Sequence, residues 1–588
     1  MAAPSSPVPG SVHFPLQGGE NYERQSEIAA VTTPLTTPEP LRTKDLLPQA
    51  APHAAHMDIG RAMPDEELST LLRHFGIDPA SQTGRTLDSL IPYSYSLLPE
   101  EEKRTFPNEF SAHITPETLK RMLQAEYNRN LLLLFEKAVP NLTGSLSDKA
   151  NLIRQWLENS DNADSIQDLV CQGTEHVTLT CIPSEIEKLT HLKTLDLRKN
   201  KITYLPPELF LLTSVKYLNV SSNLLTILSD DISNLTHLKK LWLSKNGLKE
   251  LPTGICFLKS LCYLDAEANF LEYLPAHIGN LPSLTALHVS RNRIPEFPQS
   301  ICDLERLLYL SANDNYLQKL PYNFARLTNL IELHLSGNQI TALSAAICSL
   351  TALEMLGLVG NRIKTISETI SRLSKLRELW LSQNEIKKLP RFFCDLTSLT
   401  TLRIAENQLG GLPENIGQLQ QLKELHASGN LIKTLPRNLR GLQALKILDL
   451  AKNQLAKPPE SLGHPSKIQR LSLEGNKLEH LPKGICDLSC LQQLNLQNNI
   501  FSLFPSQLQA CQDLRKLSVE GNRIREFPAW SERLWSPEQL SQQKESQKPA
   551  PVAPSPHLRF EKKIRATPMQ SSRKVARPPL TARRRQKP

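Results

Sequence analysis

Apolar and polar positions repeat with a period of 23 residues between residues 192 and 528. Each period follows the pattern LxxLxxLxLxxNxLxxLPxxIxxL, with apolar residues eight, five and three positions before an asparagine. The alternation at the LxL step predicts a short strand that points Leu195 and Leu197 inward and the intervening Asp196 outward. The fifteen asparagines that keep this phase are Asn200, Asn223, Asn246, Asn269, Asn292, Asn315, Asn338, Asn361, Asn384, Asn407, Asn430, Asn453, Asn476, Asn499 and Asn522.

One such unit cannot bury its apolar residues alone, whereas a stack of units shares one core and one parallel sheet. The asparagine follows the strand, where its amide is expected to hydrogen-bond backbone groups of its own and the adjacent turn. We therefore interpret the asparagines as a structural ladder. Proline on the return arm needs no sheet N–H, and it occurs at Pro206, Pro252, Pro275, Pro321, Pro390, Pro436 and Pro482.

This repeat resembles the leucine-rich repeat, and its length with proline after the second leucine is similar to the cytoplasmic Ras-group or Shoc-type repeat. The resemblance implies an α/β fold, a curved solenoid whose parallel sheet forms the concave face and whose return arms form the convex side. It also implies a scaffolding role in signalling, with a protein partner on the concave face.

Five segments follow from the composition. Residues 1–56 are predicted to be a disordered leader rich in Pro, Ser and Thr, and 57–173 a small all-α region. Residues 174–528 form the solenoid, with fifteen regular repeats after a degenerate cap repeat that has Val177 at the asparagine position. Residues 529–541 are predicted to cap its last edge, and 542–588 to be a disordered basic tail.

Three helices are predicted in the all-α region: one beginning at Pro64, one at Thr115-Pro116, and one capped by Ser147. The stretch from Ile153 to Leu157, with the segment from Ile182 to Ile186, is similar to lead-ins of leucine-rich repeat proteins from chlamydia-like intracellular bacteria. That similarity implies a bacterial protein directed at host proteins.

The net charge of +9 is concentrated in the tail. Residues 557–588 contain eleven Lys and Arg and one acid, a balance of +10, so the rest of the chain carries 9 − 10 = −1. This tail could contact nucleic acid or an anionic membrane, or could act only through nonspecific electrostatics. Phe560 is its one aromatic residue, which argues against stacking on bases.

Cysteine usage indicates a reducing, cytoplasmic location. Cys256, Cys302, Cys348 and Cys394 recur every 46 residues, which places them about 10 Å apart in alternate repeats, too far for disulfides. No signal peptide or transmembrane segment is expected from the sequence, although delivery into a host cell would fit a bacterial origin.

Outward strand positions supply the candidate binding site. Exposed Trp and Tyr side chains on a rigid face are typical interface anchors. We predict one cluster around Trp242 and another around Trp380. The candidate partner-binding residues are Tyr217, Trp242, Tyr263, His288, Tyr309, His334, Glu378, Trp380, Arg403 and His426. An alternative is that these aromatic side chains only pack against one another across the sheet.

We find no basis for catalysis or for a cofactor. His288 and His334 share one outward column but lie about 10 Å apart by repeat spacing, too far to share a zinc ion, and no nucleotide-binding or hydrolase motif occurs. The sequence therefore favours a non-enzymatic scaffold that binds protein, without metal or small-molecule substrate. The alternative is a substrate-recognition subunit of a ubiquitin ligase or phosphatase complex, with residues 57–173 recruiting the machinery.

Overall fold

The computed structural model describes residues 116–534, with the exception of residues 175, 176, 459, 464 and 466. The predicted leader, the predicted helix at Pro64 and the predicted basic tail lie outside the described residues. The described chain forms three helices followed by a parallel-stranded solenoid, which confirms the predicted fold class.

The helices are α1 at Pro116–Phe135, α2 at Leu146–Leu157 and the short α3 at Ser160–Ser165. Our prediction that Ser147 caps α2 is wrong, because Ser145 occupies that position. The Ser145 hydroxyl accepts a hydrogen bond from the Asp148 N–H at 3.2 Å, and the Ser145 N–H donates to the Asp148 carboxylate at 2.9 Å. This reciprocal capping box needs a carboxylate three residues after the cap, and Ser147 is followed there by Ala150.

Helix α1 is fastened to the start of the solenoid by buried polar groups. The fully buried Glu126 carboxylate accepts hydrogen bonds from Thr180 at 2.5 Å and from Arg129 at 3.2 Å. Arg129 also donates to the Thr178 carbonyl at 2.7 Å, and the Asn130 side chain accepts the Thr180 N–H at 2.9 Å. Burying a carboxylate is costly unless it is paired and hydrogen-bonded, so this network fixes one orientation of α1 on the first repeat.

Sixteen strands form one parallel sheet in sequence order. Each strand is three residues long, and from β2 onward each pairs with its neighbour in an unshifted register, such as Leu195 with Leu218. The strands are β1 Asp168–Val170, β2 Thr194–Asp196, β3 Tyr217–Asn219, β4 Lys240–Trp242, β5 Tyr263–Asp265, β6 Ala286–His288, β7 Tyr309–Ser311, β8 Glu332–His334, β10 Met355–Gly357, β12 Glu378–Trp380, β13 Thr401–Arg403, β14 Glu424–His426, β15 Ile447–Asp449, β16 Arg470–Ser472, β17 Gln493–Asn495 and β18 Lys516–Ser518. Two further strands on the return arms, β9 Ala342–Leu343 and β11 Thr365–Ile366, pair with each other.

The first unit is longer than the others. Strand β1 begins before our boundary at residue 174, and Asp168 pairs with Thr194, a spacing of 194 − 168 = 26 residues. The Asn200 amide accordingly reaches back to the Cys171 carbonyl at 2.8 Å. Gly173 lies directly against the backbone of Lys199, where a side chain would collide with the carbonyl oxygen. The extra residues therefore shift the strand of this unit away from the position that a 23-residue period predicts.

The return arms are mostly 3-10 turns, with a four-residue helix α4 at Ala345–Cys348. Their buried residues join the strand leucines in one hydrophobic cluster that extends from Leu131 in α1 to Leu534. The turns are Ser184–Lys188, Pro207–Leu211, Asp230–Asn234, Thr253–Phe257, Ile278–Asn280, Gln299–Asp303, Phe324–Arg326, Glu368–Arg372, Phe393–Asp395, Ile416–Gln418, Glu460–Gly463, Lys483–Asp487, Ser506–Ala510 and Ala529–Leu534.

The last of these turns, Ala529–Leu534, packs against residues of the preceding return arm. The Trp530 ring meets the edge of Phe504 with centroids 5.5 Å apart, and Leu534 is buried. Trp535 and the rest of the cap that we predicted to residue 541 lie outside the described residues.

Candidate functional site on the concave sheet

The asparagine ladder holds the backbone that presents the sheet. In a typical repeat, Asn223 accepts the Ile202 N–H at 3.0 Å and donates to the carbonyls of Leu197 at 2.9 Å and Val220 at 3.0 Å. The same three contacts recur through the repeats, for example at Asn292 and Asn476. Each asparagine thus satisfies backbone groups in two neighbouring units, which is a structural role and leaves it unavailable to a ligand.

The residue before each asparagine has a positive φ, a feature that our sequence analysis missed. Five of these residues are glycines, such as Gly360 with φ 65°, and ten carry side chains, such as Ala268 with φ 54°. This left-handed residue turns the chain so that the asparagine side chain points back into the solenoid. The signal was present in the sequence, because glycine recurs at this one position of the repeat.

Five aromatic rings form a continuous ladder across strands β4 to β8. Consecutive ring centroids lie 5.4 Å apart from Trp242 to Tyr263, 5.1 Å from Tyr263 to His288, 4.6 Å from His288 to Tyr309 and 5.2 Å from Tyr309 to His334. The rings alternate between the two outward positions of successive strands. We call these five residues the aromatic ladder; each of its three inner rings has a ring neighbour on both sides, and the His288 and Tyr309 rings are stacked with an interplanar angle of 27°.

Two inner members of the aromatic ladder are uncharged at neutral pH. Burial lowers the pKa of His288 to about 4, with a smaller effect from nearby His334, so the His288 imidazole is neutral. Burial, with a smaller contribution from Asp265, raises the pKa of Tyr263 to about 12, so its hydroxyl stays protonated. These two residues therefore contribute rings with neutral polar groups to the surface.

Two predicted members of this region differ from expectation. Tyr217 makes none of the ring-to-ring contacts found among the described residues, so the first cluster extends from Trp242 toward His334 instead. His334 is only 8% exposed, covered by Tyr309 and hydrogen-bonded to Glu332 at 3.1 Å. His334 therefore packs within the ladder and leaves little of its own surface for a partner.

The second predicted cluster is smaller. The Arg403 guanidinium lies over the Trp380 ring, 4.8 Å from its centroid, and the two residues are register partners on β12 and β13. His426 is 3.3 Å from the Glu424 carboxylate two residues earlier in its own strand. Glu378 lies on the same strand as Trp380. This cluster is one stacked pair with polar neighbours.

Several outward residues have a local role that sequence reasoning missed. Asp196, Asn219 and Asp265 each accept the backbone N–H two residues later, at 3.1, 3.1 and 3.0 Å. Asp449 and Asn495 do the same at 3.1 and 3.0 Å. Short polar side chains commonly close such turns, so Asp or Asn at this position could have been recognised as structural.

No other feature of the described residues competes with the sheet as a site. Within residues 116–534, no group of three or more His, Cys, Asp and Glu side chains is placed to hold a metal ion. A depression of about 490 Å³ lies among the return arms at residues 388–391 and 411–415, away from the aromatic ladder. In the same part of the chain, no helix has the length and apolar composition needed to cross a membrane.

Comparison with protein families agrees with this architecture. The model of the leucine-rich repeat region matches residues 338–430, and the leucine-rich repeat model matches residues 190–248 and 306–363. A comparison with curated protein sequences found no match. The matched segments lie inside the parallel-stranded solenoid and include part of the aromatic ladder.

Solved structures show the same fold. A leucine-rich repeat protein of Leptospira interrogans is 31% identical, with a TM-score of 0.57 over 62% of this chain and 95% of that one. The plant peptide hormone receptor RGFR1, solved in complex with RGF2, is 27% identical with a TM-score of 0.50, over 58% of this chain and 61% of that one. The ectodomain of the Arabidopsis thaliana receptor kinase GASSHO1/SCHENGEN3, in complex with CASPARIAN STRIP INTEGRITY FACTOR 2, is 26% identical with a TM-score of 0.52, over 62% and 48%.

A stacked parallel sheet with a buried asparagine in every turn defines a repeat solenoid. The chain belongs to the leucine-rich repeat proteins.

Proposed function

We propose that this protein is a non-enzymatic scaffold that binds a protein partner on the concave face of its solenoid. The observation that supports this most directly is the aromatic ladder, because folding alone does not require rings at these outward positions. Aromatic side chains held on a rigid sheet bury a large area for a small loss of conformational entropy, as interface anchors do. Two of the similar solved structures, both plant receptors, were solved in complexes, RGFR1 with RGF2 and GASSHO1/SCHENGEN3 with CASPARIAN STRIP INTEGRITY FACTOR 2.

The scaffold would act in signalling or, if the protein is bacterial, as an effector directed at host proteins. The Ras-group character of the repeats supports signalling, and the similarity to a Leptospira interrogans protein supports a bacterial origin. The cysteines are free thiols, which supports a reducing, cytoplasmic site of action. The repeat boundaries and the binding residues given above are part of this proposal.

Crosslinking mass spectrometry from native lysate tests the proposal. The full chain is compared with a Trp242→Ala, Trp380→Ala double variant whose fold is verified by circular dichroism. We expect the double variant to lose at least one protein that crosslinks to strands β4 to β13 of the parent. An identical set of crosslinked proteins would move the binding site to the helices or to the tail, and would overturn the assignment to the concave face.

A further inference from the structure

The charge at the start of each strand changes along the solenoid. The position seven residues before the asparagine is polar or charged in most repeats, but four consecutive repeats carry Cys262, Thr285, Leu308 and Ile331. Leu308 is 39% exposed and Ile331 is 36% exposed. Exposed apolar side chains in adjacent repeats form a continuous surface, which often marks a site of protein interaction.

These four positions adjoin the aromatic ladder. Cys262 directly precedes Tyr263, and Leu308 directly precedes Tyr309. We call the two sets together the apolar patch; it covers strands β5 to β8 and the Trp242 end of β4. Asp265 and Glu332 are the acidic residues on these strands: the Asp265 carboxylate accepts the Glu267 N–H at 3.0 Å, and the Glu332 carboxylate lies 3.1 Å from the His334 ring nitrogen. The patch therefore combines aromatic rings and aliphatic side chains, and both of its carboxylates contact groups of the chain itself.

Lysines border the patch on the side of the first repeats. Lys193, Lys216 and Lys239 occupy the same position in three successive repeats, and Lys240 follows Lys239. We call these four residues the lysine edge. None of them forms an ion pair with another of the described residues, and the Lys240 ammonium is 5.9 Å from the centroid of the Tyr263 ring. Four neighbouring cations without an ion-pair partner among the described residues attract an anionic group.

Lysines beside aromatic rings could also suggest a nucleic acid, but the geometry disfavours it. Bases bind by stacking on a free aromatic face, whereas Tyr263, His288 and Tyr309 each have a ring neighbour on both sides, with centroids 4.6–5.4 Å apart. Rings this close leave no room for a base between them, and the Lys240 ammonium already lies over the Tyr263 ring. Hydroxyl and ammonium groups beside aliphatic side chains suit carboxylates and apolar side chains better than stacked bases.

We propose that the concave face binds a protein segment in which carboxylates adjoin apolar side chains. The carboxylates lie over the lysine edge, and the apolar side chains pack on the apolar patch. This inference rests on the proposed function and adds the chemistry and the direction of the partner, whose acidic end faces the first repeats.

A peptide selection against the full chain tests this without knowledge of the partner. The probe is a phage library of random 16-residue peptides, and selected peptides are synthesised and titrated by fluorescence anisotropy. We expect the selected set to be enriched in Asp and Glu beside Phe, Leu or Trp. A fluorescein-labelled 12-residue oligouridine is titrated in parallel as the nucleic-acid probe.

Charge reversal then locates the site. The triple variant Lys193→Glu, Lys216→Glu, Lys239→Glu should weaken binding of the selected peptides at least about tenfold and flatten its salt dependence. A matched control reverses Lys423, Lys446 and Arg515, which occupy the same repeat position near the other end of the solenoid; we expect it to leave the dissociation constant within about twofold.

The outcomes separate this inference from the proposed function. If Trp242→Ala abolishes peptide binding but the lysine triple variant does not, the concave site stands and the acidic partner is wrong. If Trp242→Ala changes nothing, the concave site itself is wrong. A selection without an acidic class also overturns the inference, as does tight oligouridine binding that is lost in the lysine triple variant.

Discussion

The two halves of the sheet share one skeleton, by which we mean the buried strand leucines and the asparagine ladder. They differ in the side chains on the outward face of the strands. Strands β4 to β8 and strands β15 to β18 have buried central leucines and equivalent asparagine bonds. Outward, the first group carries the aromatic ladder, whereas the second carries mostly Arg, Lys, Gln, Ser and Asn. Since both groups fold alike, the repeat can form without rings at these positions, and the concentration of rings in one half supports the binding role proposed above.

The largest loss of stability should come from substituting an asparagine of the ladder, and the loss should be the same in both halves of the sheet. Asn292→Ala removes an acceptor for the Leu271 N–H and donors to the Ala266 and Val289 carbonyls, all buried. Asn476→Ala removes the equivalent set in the second half. We expect each to lower the free energy of unfolding by about 2–4 kcal/mol, because buried backbone groups lose their partners, as measured by urea denaturation.

Asn313→Ala provides a comparison, since Asn313 lies in the same turn as the ladder asparagine but is not part of that ladder. Its amide oxygen accepts one N–H, from Ser336, at 2.8 Å. A smaller loss of about 1 kcal/mol is expected. If Asn292→Ala and Asn476→Ala differed by more than the loss from Asn313→Ala, the two halves would not share a skeleton.

The next largest loss of stability should occur only in the half of the sheet that carries the aromatic ladder. Tyr309→Ala removes the ring between His288 and His334, with contacts at 4.6 and 5.2 Å, and should cost about 1–3 kcal/mol of stability for two ring pairs. Gln493→Ala, at the same strand position in the second half, should change stability by no more than about 0.5 kcal/mol. Thermal denaturation of both variants measures this difference, and equal losses would mean that the ladder contributes no packing energy.

The burial of the inward-pointing strand residues was predictable from the sequence. The contacts among the outward-pointing residues were predictable only in part. Leu195 and Leu197 alternate with polar residues, so their burial follows from the period of a strand. His288 and His334 share a column and seemed isolated, because the sequence does not show that Tyr309 inserts its ring between them. Contacts between side chains that come from different columns depend on rotamers, which repeat spacing does not specify.

The helices before the solenoid were also predictable only in part. The buried face of α2 was predictable from Ile153 and Leu157, whereas Leu152, which we placed with them, is 37% exposed, and the capping box at Ser145 was missed. The buried hydrogen bonds that join Glu126 and Asn130 to Thr180 were also missed, because the bonded residues are 54 and 50 positions apart in the sequence. A single sequence gives the type of each element far more readily than the polar contacts between elements.

One pH effect should arise within the aromatic ladder, at His288. The pKa of His288 is about 4 in the folded protein and 6.5 for an unperturbed imidazole, so below pH 6.5 the unfolded chain takes up the proton first. Stability must therefore fall as pH decreases from about 6.5 toward 4. Allowing for its partial exposure, we expect His288 to account for about 1 kcal/mol of the loss between pH 6.5 and 5.

The measurement compares unfolding of the parent with His288→Phe at both pH values. Phenylalanine keeps a ring between Tyr263 and Tyr309 but cannot be protonated, so the variant should lose less stability on acidification. His334 and Glu332 face the same region and are present in both proteins, so their contributions cancel in the difference. An identical acid response in both proteins would show that His288 is accessible to protons in the fold.

The smallest effect concerns the turn that both halves use. Ala268 in the first half and Lys452 in the second have φ of 54° and 51°, a left-handed conformation that costs a residue with a side chain about 1 kcal/mol or more. Glycine adopts it freely but loses more entropy on folding, so Ala268→Gly and Lys452→Gly should each raise the free energy of unfolding by only about 0.5 kcal/mol. Conversely, Gly360→Ala should lower the free energy of unfolding, although its Cβ would meet no atom closer than 3.7 Å, because the cost lies in φ and not in packing.

Urea denaturation of the three variants measures these changes. The two substitutions to glycine should change the free energy of unfolding in the same direction in both halves, since the turn belongs to the skeleton. A stabilisation found in the second half alone would mean that the aromatic ladder already constrains the turn in the first, and the outer face would then take part in folding after all.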